Sequence, residues 1–362
     1  LANPGKSVKV NGPTIAGAYY FEIAPDGKSL VYLAETTANV SELFVVTLAN
    51  PGVVSKLNGV LPVNGNVRDD FRYTPDGKAV IYRGDLTTDG TTELYFTPVA
   101  TPGSHTKLNA PVQSSTSVLD YIVSHDSSFV AYRGYGASLR YELFRVDIAN
   151  PTVATVVHGA TTSSLSDRYA LAPDDKTLVF RADMVAVGKY ELFTADMNNL
   201  GSHTALSAPL LNNSTDVHDF EIAPDGLSVI YRADHISNYD ELWHVTFANP
   251  GVAARLNPPI FSSVNDTYSG YTFTADSKGV VYRADLNQNN FYELLHTTVA
   301  NPGVATPITG PGQSVVRFAV AGDTAVFVTN EALYQAKVST PGTPLLASKW
   351  LGASDVLRVN FY

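Results

Sequence analysis

An aspartate-centred turn recurs seven times along this chain, and that recurrence constrains the fold more than any other feature. The copies are Ala24-Pro25-Asp26-Gly27, Thr74-Pro75-Asp76-Gly77, Ser124-His125-Asp126-Ser127, Ala172-Pro173-Asp174-Asp175, Ala223-Pro224-Asp225-Gly226, Thr274-Ala275-Asp276-Ser277 and Ala321-Gly322-Asp323-Thr324. Successive aspartates are 50, 50, 48, 51, 51 and 47 residues apart. A period of about 40–50 residues suits a four-stranded propeller blade. The repeat therefore predicts an all-β fold, a seven-bladed β-propeller of four-stranded antiparallel blades, with residues 1–362 as a single domain.

Residues 216–258 show how one repeat folds. Phe220-Glu221-Ile222-Ala223 is a short alternating run ended by Pro224-Asp225-Gly226. Proline presets the φ of a turn, aspartate bonds its own backbone, and glycine accepts positive φ. Ser228-Val229-Ile230-Tyr231-Arg232 is β-branched and aromatic, which marks a second strand. Glu241 to Phe247 alternates as a third, and Ala253 to Asn257 supplies a more polar fourth. No stretch sustains a 3.6-residue period, so helix is expected to be nearly absent.

The seven copies also serve as an internal alignment. An aromatic stands five residues before every turn aspartate: Phe21, Phe71, Tyr121, Tyr169, Phe220, Tyr271 and Phe318. Such regularity predicts burial between neighbouring blades. Arg83, Arg133, Arg181, Arg232 and Arg283 precede Glu93, Glu142, Glu191, Glu241 and Glu293 by nine or ten residues. A hairpin of that span predicts pairing of guanidinium with carboxylate. Repetition in five blades marks the pair as framework.

At the ends, residues 2–12 match a fourth-strand unit, and residues 1–13 are expected to close the ring as an outer strand beside residues 315–348. Residues 354–362 resemble another first strand, so 349–362 has no assigned role, and an eighth, incomplete blade is the other reading of the ends. The chain opens at Leu1 without methionine or signal peptide, which suggests processing or excision from something longer.

Composition narrows the partners. A formal net charge of −10, with acids spread along the repeats, argues against nucleic acid and against anionic lipid. No apolar run is long enough to span a membrane as a helix. The absence of cysteine excludes disulfides, thiolate metal sites and cysteine nucleophiles. Together with abundant Thr, Asn, Ser, Gly and Tyr, it points to a bacterial periplasmic or extracellular protein.

The Pro-Asp-Gly turn between a Phe-led strand and an Ile-Tyr-Arg strand resembles the bacterial Pro-Asp-Gly WD-like repeats of TolB and prolyl-oligopeptidase propellers. The resemblance covers nearly the whole chain and implies the fold. That superfamily includes scaffolds, gatekeepers, lectins, lyases and lactonases, so it implies no single activity. Nothing like the extra α/β domain of TolB precedes residue 14, and no Gly-x-Ser-x-Gly elbow of a prolyl oligopeptidase occurs.

Candidate sites follow from positions where the repeats diverge. The residues entering strand one differ from copy to copy: Arg68, Asp69 and Asp70, then Asp120, Asp167, His218 with Asp219, Tyr268, and Arg317. Strand one lines the channel of a propeller, so these residues are the expected binding rim at one channel mouth. Asp85, Asp89 and Glu93 offer oxygen ligands in a glycine-containing loop and form a weak calcium candidate, lacking the alternating aspartates of an ion-wrapping loop. Arg83-Gly84-Asp85 spells an adhesion tripeptide, but Arg-Ala-Asp recurs at 181–183, 232–234 and 283–285, which makes it one spelling of the repeat. The histidines show no metal-ligand spacing.

These features predict a secreted or periplasmic interaction scaffold that takes a protein or glycan partner at the rim, with no catalytic residue and no cofactor assigned. A propeller lyase or hydrolase of acidic polysaccharide is the rival reading, with His218, a rim tyrosine and an arginine as base, acid and clamp. A structural repeat module of a larger surface or filament assembly is the third.

Overall fold

The computed structural model describes residues 7–12, 16–37, 39–109, 117–135, 140–151, 153–159, 165–210, 216–235, 240–258, 270–286, 291–310, 312–330, 332–342 and 344–349. They form no helix and seven four-stranded antiparallel sheets, each built from four strands consecutive in the chain, consistent with a seven-bladed β-propeller. No helix among them is long and apolar enough to cross a membrane.

The fifth sheet illustrates the plan, with strands Val217–Ile222, Ser228–Ala233, Glu241–Thr246 and Ala253–Arg255 in that order. Every residue of its second strand is buried, as is every residue of Gly279–Ala284 in the sixth sheet. A strand covered on both faces reads as a continuous apolar run, which is why Ser228-Val229-Ile230-Tyr231 lacks polar alternation. Aromatic pairs couple second strands to third: Tyr32 stacks on Phe44 at 5.7 Å, Tyr132 on Phe144 at 5.1 Å and Phe327 on Tyr334 at 5.5 Å between ring centroids.

The turn that identifies the repeat is held locally. Asp26, Asp76, Asp126, Asp174, Asp225 and Asp276 each accept, on Oδ1, the backbone N–H two residues on, at 2.9–3.1 Å. The residue after the aspartate takes positive φ, as at Gly77 (71°), Ser127 (62°), Asp175 (59°) and Ser277 (61°). Where that residue is polar, it also caps the turn of the preceding sheet. Ser127 Oγ accepts the Asp76 N–H, Ser277 Oγ accepts the Asp225 N–H, and Asp175 accepts from His125 N and Asp126 N.

The chain forms two compact units. The first comprises Leu1–Leu165, Asp174–Leu178 and Ala195–His203; the second comprises Ser166–Pro173, Val179–Thr194 and Thr204–Tyr362. In the first unit, Phe71 (2% exposed) packs with Val31, Leu33 and Ala24 of the sheet before it, and Tyr121 donates to the carbonyls of Asp70 and Ile81. In the second, Phe318 (6% exposed) packs with Val281 and Leu294 of the sixth sheet.

Against the burial expected of the whole aromatic set, Phe71 and Phe318 are buried, Tyr121, Tyr169, Phe220 and Tyr271 are half-buried, and Phe21 is 68% exposed. Phe71, Tyr121 and Phe318 are covered by the sheet preceding their own in the chain. Residues 7–12 form no strand, so no strand pairing of the kind expected for closure is present there, and residues 1–6 lie outside the described residues, as do 350–362. Val10 packs against Leu30, Tyr32 and Phe44 of the first sheet. The outer strand of the seventh sheet is Leu345–Lys349.

Candidate functional site

The repeated arginine does not pair with the repeated glutamate. Antiparallel register sets Arg232 opposite Leu242 and Ala233 opposite Glu241, so arginine and glutamate point to opposite faces. Arg232 lies instead directly across from Asp219 on strand one. Its Nη2 is 3.0 Å from Asp219 Oδ2. The same partnership recurs in Arg133 with Asp120 at 2.6 Å and Arg83 with Asp70 at 2.6 Å. The glutamates find cations on strand four: Glu42 with Lys56 at 2.9 Å, Glu93 with Lys107 at 2.5 Å and Glu241 with Arg255 at 2.8 Å.

The arginine has two further partners. It donates to a strand-one carbonyl of the next sheet: Arg83 to Val118, Arg181 to Val217 and Arg283 to Val316. It also meets the residue just before the repeated glutamate. In three sheets that residue is tyrosine, with the guanidinium 5.9 Å from the Tyr141 ring centroid, 4.1 Å from Tyr190 and 4.6 Å from Tyr292. The fifth sheet has Asp240 there, and Arg232 Nη1 pairs with Asp240 Oδ2 at 2.6 Å.

That substitution is joined by another at the same end of the sheet. A register shift between Val217 and Asp219 leaves His218 as a bulge residue, and bulges re-aim side chains. The corresponding shifts leave Leu119 and Val316 in the third and seventh sheets. His218 Nε2 lies 2.9 Å from Asp240 Oδ1. Tyr271 of the sixth sheet donates to Asp219 Oδ1. A chain of contacts therefore runs His218–Asp240–Arg232–Asp219–Tyr271.

The electrostatics follow from the pairing. The hydrogen bond to Asp240 raises the His218 imidazole above its ordinary value, outweighing burial. Burial pushes the Asp240 carboxyl up, but the His218 hydrogen bond and the charges of His218 and Arg232 more than offset this, holding it low. Burial raises Asp234. Burial and then Asp219 push the Tyr271 hydroxyl well above its ordinary range.

Of the rim residues expected from the sequence, Asp70, Asp120 and Asp219 are taken up by arginine ion pairs. Arg68 is exposed and donates to Thr92 Oγ1 at 3.1 Å, and Asp69 is exposed beside it. Arg317 is half-buried opposite Val328. Asp167 lies in strand Leu165–Leu171, its side chain outside the described ones, and Tyr268 lies outside the described residues. Arg68, Asp69, Asp70 and Asp120 belong to the first unit, and Asp167, His218, Asp219 and Arg317 to the second.

The calcium candidate is otherwise employed. Asp85 caps a loop, accepting the N–H of Asn66 on one oxygen and that of Gly90 on the other. Glu93 is held by Lys107 and by the Tyr95 hydroxyl at 2.8 Å, while Asp89 is exposed. Among the described residues no three His, Asp or Glu side chains gather to hold a metal ion. Sequence reasoning missed Asp240, Arg232 and Tyr271. The signals were an aspartate 13 residues before an arginine, at 70/83, 120/133 and 219/232, and a tyrosine immediately before Glu142, Glu191 and Glu293.

No protein-family model and no curated protein sequence matches the chain. Solved structures do. A prolyl endopeptidase is similar over 93% of this chain and 50% of its own, at 13% identity and a TM-score of 0.52. An oligogalacturonate lyase from Vibrio parahaemolyticus is similar over 90% of both chains, at 15% identity and a TM-score of 0.49. A TolB-like protein from Agrobacterium tumefaciens is similar over 66% of this chain and 78% of its own, at 14% identity and a TM-score of 0.36. This chain thus spans about half the length of the prolyl endopeptidase. At such identities the likeness concerns the propeller fold alone.

Proposed function

We propose that this protein is a secreted or periplasmic binding scaffold that engages a protein or glycan through the strand-one bulge end of its sheets. The observation behind this reading is a division of labour between adjacent residues. Asp70, Asp120 and Asp219 are tied to arginines as framework, whereas the residues just before them, Asp69, Leu119 and His218, differ in charge and size. Framework repeats while a recognition surface varies. The compartment rests on the cysteine-free composition.

The test is a glycan array and a pull-down from periplasmic extract, repeated with Asp69→Lys and His218→Glu. Affinity for whatever partner is captured is expected to fall about tenfold or more, near 1.4 kcal/mol. The turn variants Asp76→Lys and Asp225→Lys, at the other end of their sheets, are expected to bind normally. Equal losses from turn and bulge variants, or none from either, refute the assignment.

A further inference from the structure

We propose that His218 and Asp240 form a proton-operated fastener on the fifth sheet, closed while the imidazole is charged and loosened when it is neutral. The fastener lies on the surface assigned above to partner binding, but its operation does not depend on that reading.

The argument is one of charge balance in a partly buried network. Asp240 meets two cations, His218 at 2.9 Å and Arg232 at 2.6 Å. Arg232 in turn is shared with Asp219 at 3.0 Å, and its side chain is only 8% exposed. With the proton on His218, two cations face the two carboxylates of this chain of contacts. Without it, the pair loses its charge-charge attraction in a region poor in solvent.

Among the described residues, the groups linked to the pair are mostly acidic. From strand two and its end come Arg232 and Asp234, from strand one Asp216 and Asp219, from strand three Asp240, and from the sixth sheet Tyr271. Asp216 accepts the Tyr190 N–H at 2.6 Å. Asp234 accepts the Asp216 N–H at 2.7 Å. Every group of this set other than Arg232 is acidic or phenolic, so the surroundings favour the charged imidazole.

His125 Nδ1 also lies 2.7 Å from Asp175 Oδ1, at a turn, so what distinguishes the fifth sheet is a histidine–aspartate pair joined to the repeated arginine. In the third, fourth and sixth sheets the position of Asp240 is tyrosine, which meets arginine through its ring and does not titrate with a histidine. At the bulge, Leu119 and Val316 carry no charge. Burial pushes His158 and His235 down to about 4 and also lowers His244 and His296, the direction opposite to that of His218.

The sign follows from linkage. The folded imidazole lies above its unfolded value, so its stabilising contribution is complete below the ordinary 6.5 and disappears as pH rises through the folded value. The experiment follows the His218 ring proton by NMR in the intact protein from about pH 5 to about pH 9, with His218→Gln to assign the resonance. The midpoint is expected above 6.5 and is expected to drop in Asp240→Asn. The melting-temperature gap between wild type and His218→Gln is expected to shrink as pH rises. A wild-type midpoint at or below 6.5, a midpoint unmoved by Asp240→Asn, or a gap independent of pH overturns the proposal. The wild-type titration and the His218→Gln gap decide the matter even where Asp240→Asn does not fold.

Discussion

The Val10 carbonyl accepts the Gly52 N–H at 3.0 Å, just as the Leu57 carbonyl accepts the Gly103 N–H at 3.0 Å. Leu206 with Gly251 and Leu256 with Gly303 repeat the bond, at 2.9 and 3.0 Å. In each of these other cases the acceptor follows the fourth strand of one sheet, and the glycine lies just beyond the third strand of the next. Val10 therefore meets the first sheet as the end of a preceding fourth strand would. This agrees with the fourth-strand likeness of residues 2–12, although residues 7–12 form no strand.

Removing residues 1–12 is accordingly expected to destabilise the protein. Among the described residues the loss includes the Val10–Gly52 hydrogen bond and the cover that Val10 gives to Leu30, Tyr32 and Phe44, about 2 kcal/mol. In a chain of this size that corresponds to a few degrees in melting temperature. Differential scanning calorimetry checks it, and an unchanged transition means that the segment adds nothing to the first sheet.

Arginine coupling offers a sharper check of the register. Arg232→Ala is expected to cost about 3 kcal/mol, because it removes the guanidinium shared by two partly buried carboxylates. In double-mutant cycles Arg232 and Asp219 are expected to couple by about 1 kcal/mol or more, while Arg232 and Glu241 show almost none. Strong coupling to Glu241 contradicts the pairing described here.

Glu221 yields a pH-dependent prediction. It reaches from the fifth sheet to the sixth, where Oε1 accepts the Phe273 N–H and the Thr272 hydroxyl, both at 3.0 Å. Burial raises its carboxyl despite these bonds. A carboxyl raised in the folded state favours folding below its unfolded value, and that advantage is lost as pH rises through the folded one. Glu221→Gln keeps the acceptor and removes the charge, so it is expected to be neutral at low pH and stabilising at neutral pH. Urea unfolding at both ends of the range measures this, and equal effects at the two pH values refute it.

Local features were legible in advance for a simple reason. The Asp225 carboxylate bonds a backbone group two residues away, so Pro224-Asp225-Gly226 carries its own turn wherever it occurs. The strand-forming run Ser228 to Arg232 is equally self-contained. The aromatic at each fifth position was recognisable as framework, yet its burial ranges from 2% exposure at Phe71 to 68% at Phe21, which spacing alone does not tell. Spacing likewise placed Asp85 and Glu93 in one hairpin, whereas only the structure shows that backbone N–H groups and Lys107 meet their oxygens.

By itself the sequence determined the repeat, its seven copies, the all-β class and the turn chemistry, because each rests on interactions within a few residues. Only the tertiary structure decided which charges meet. Strand register alternates the two faces, so a single-residue offset separates Arg232 from Glu241 and gives it to Asp219. A bulge then turns His218 toward Asp240, and the sixth sheet brings Tyr271 to Asp219 from 52 residues away. Those partners are set by how strands pair and sheets adjoin, which residue spacing along one chain does not encode.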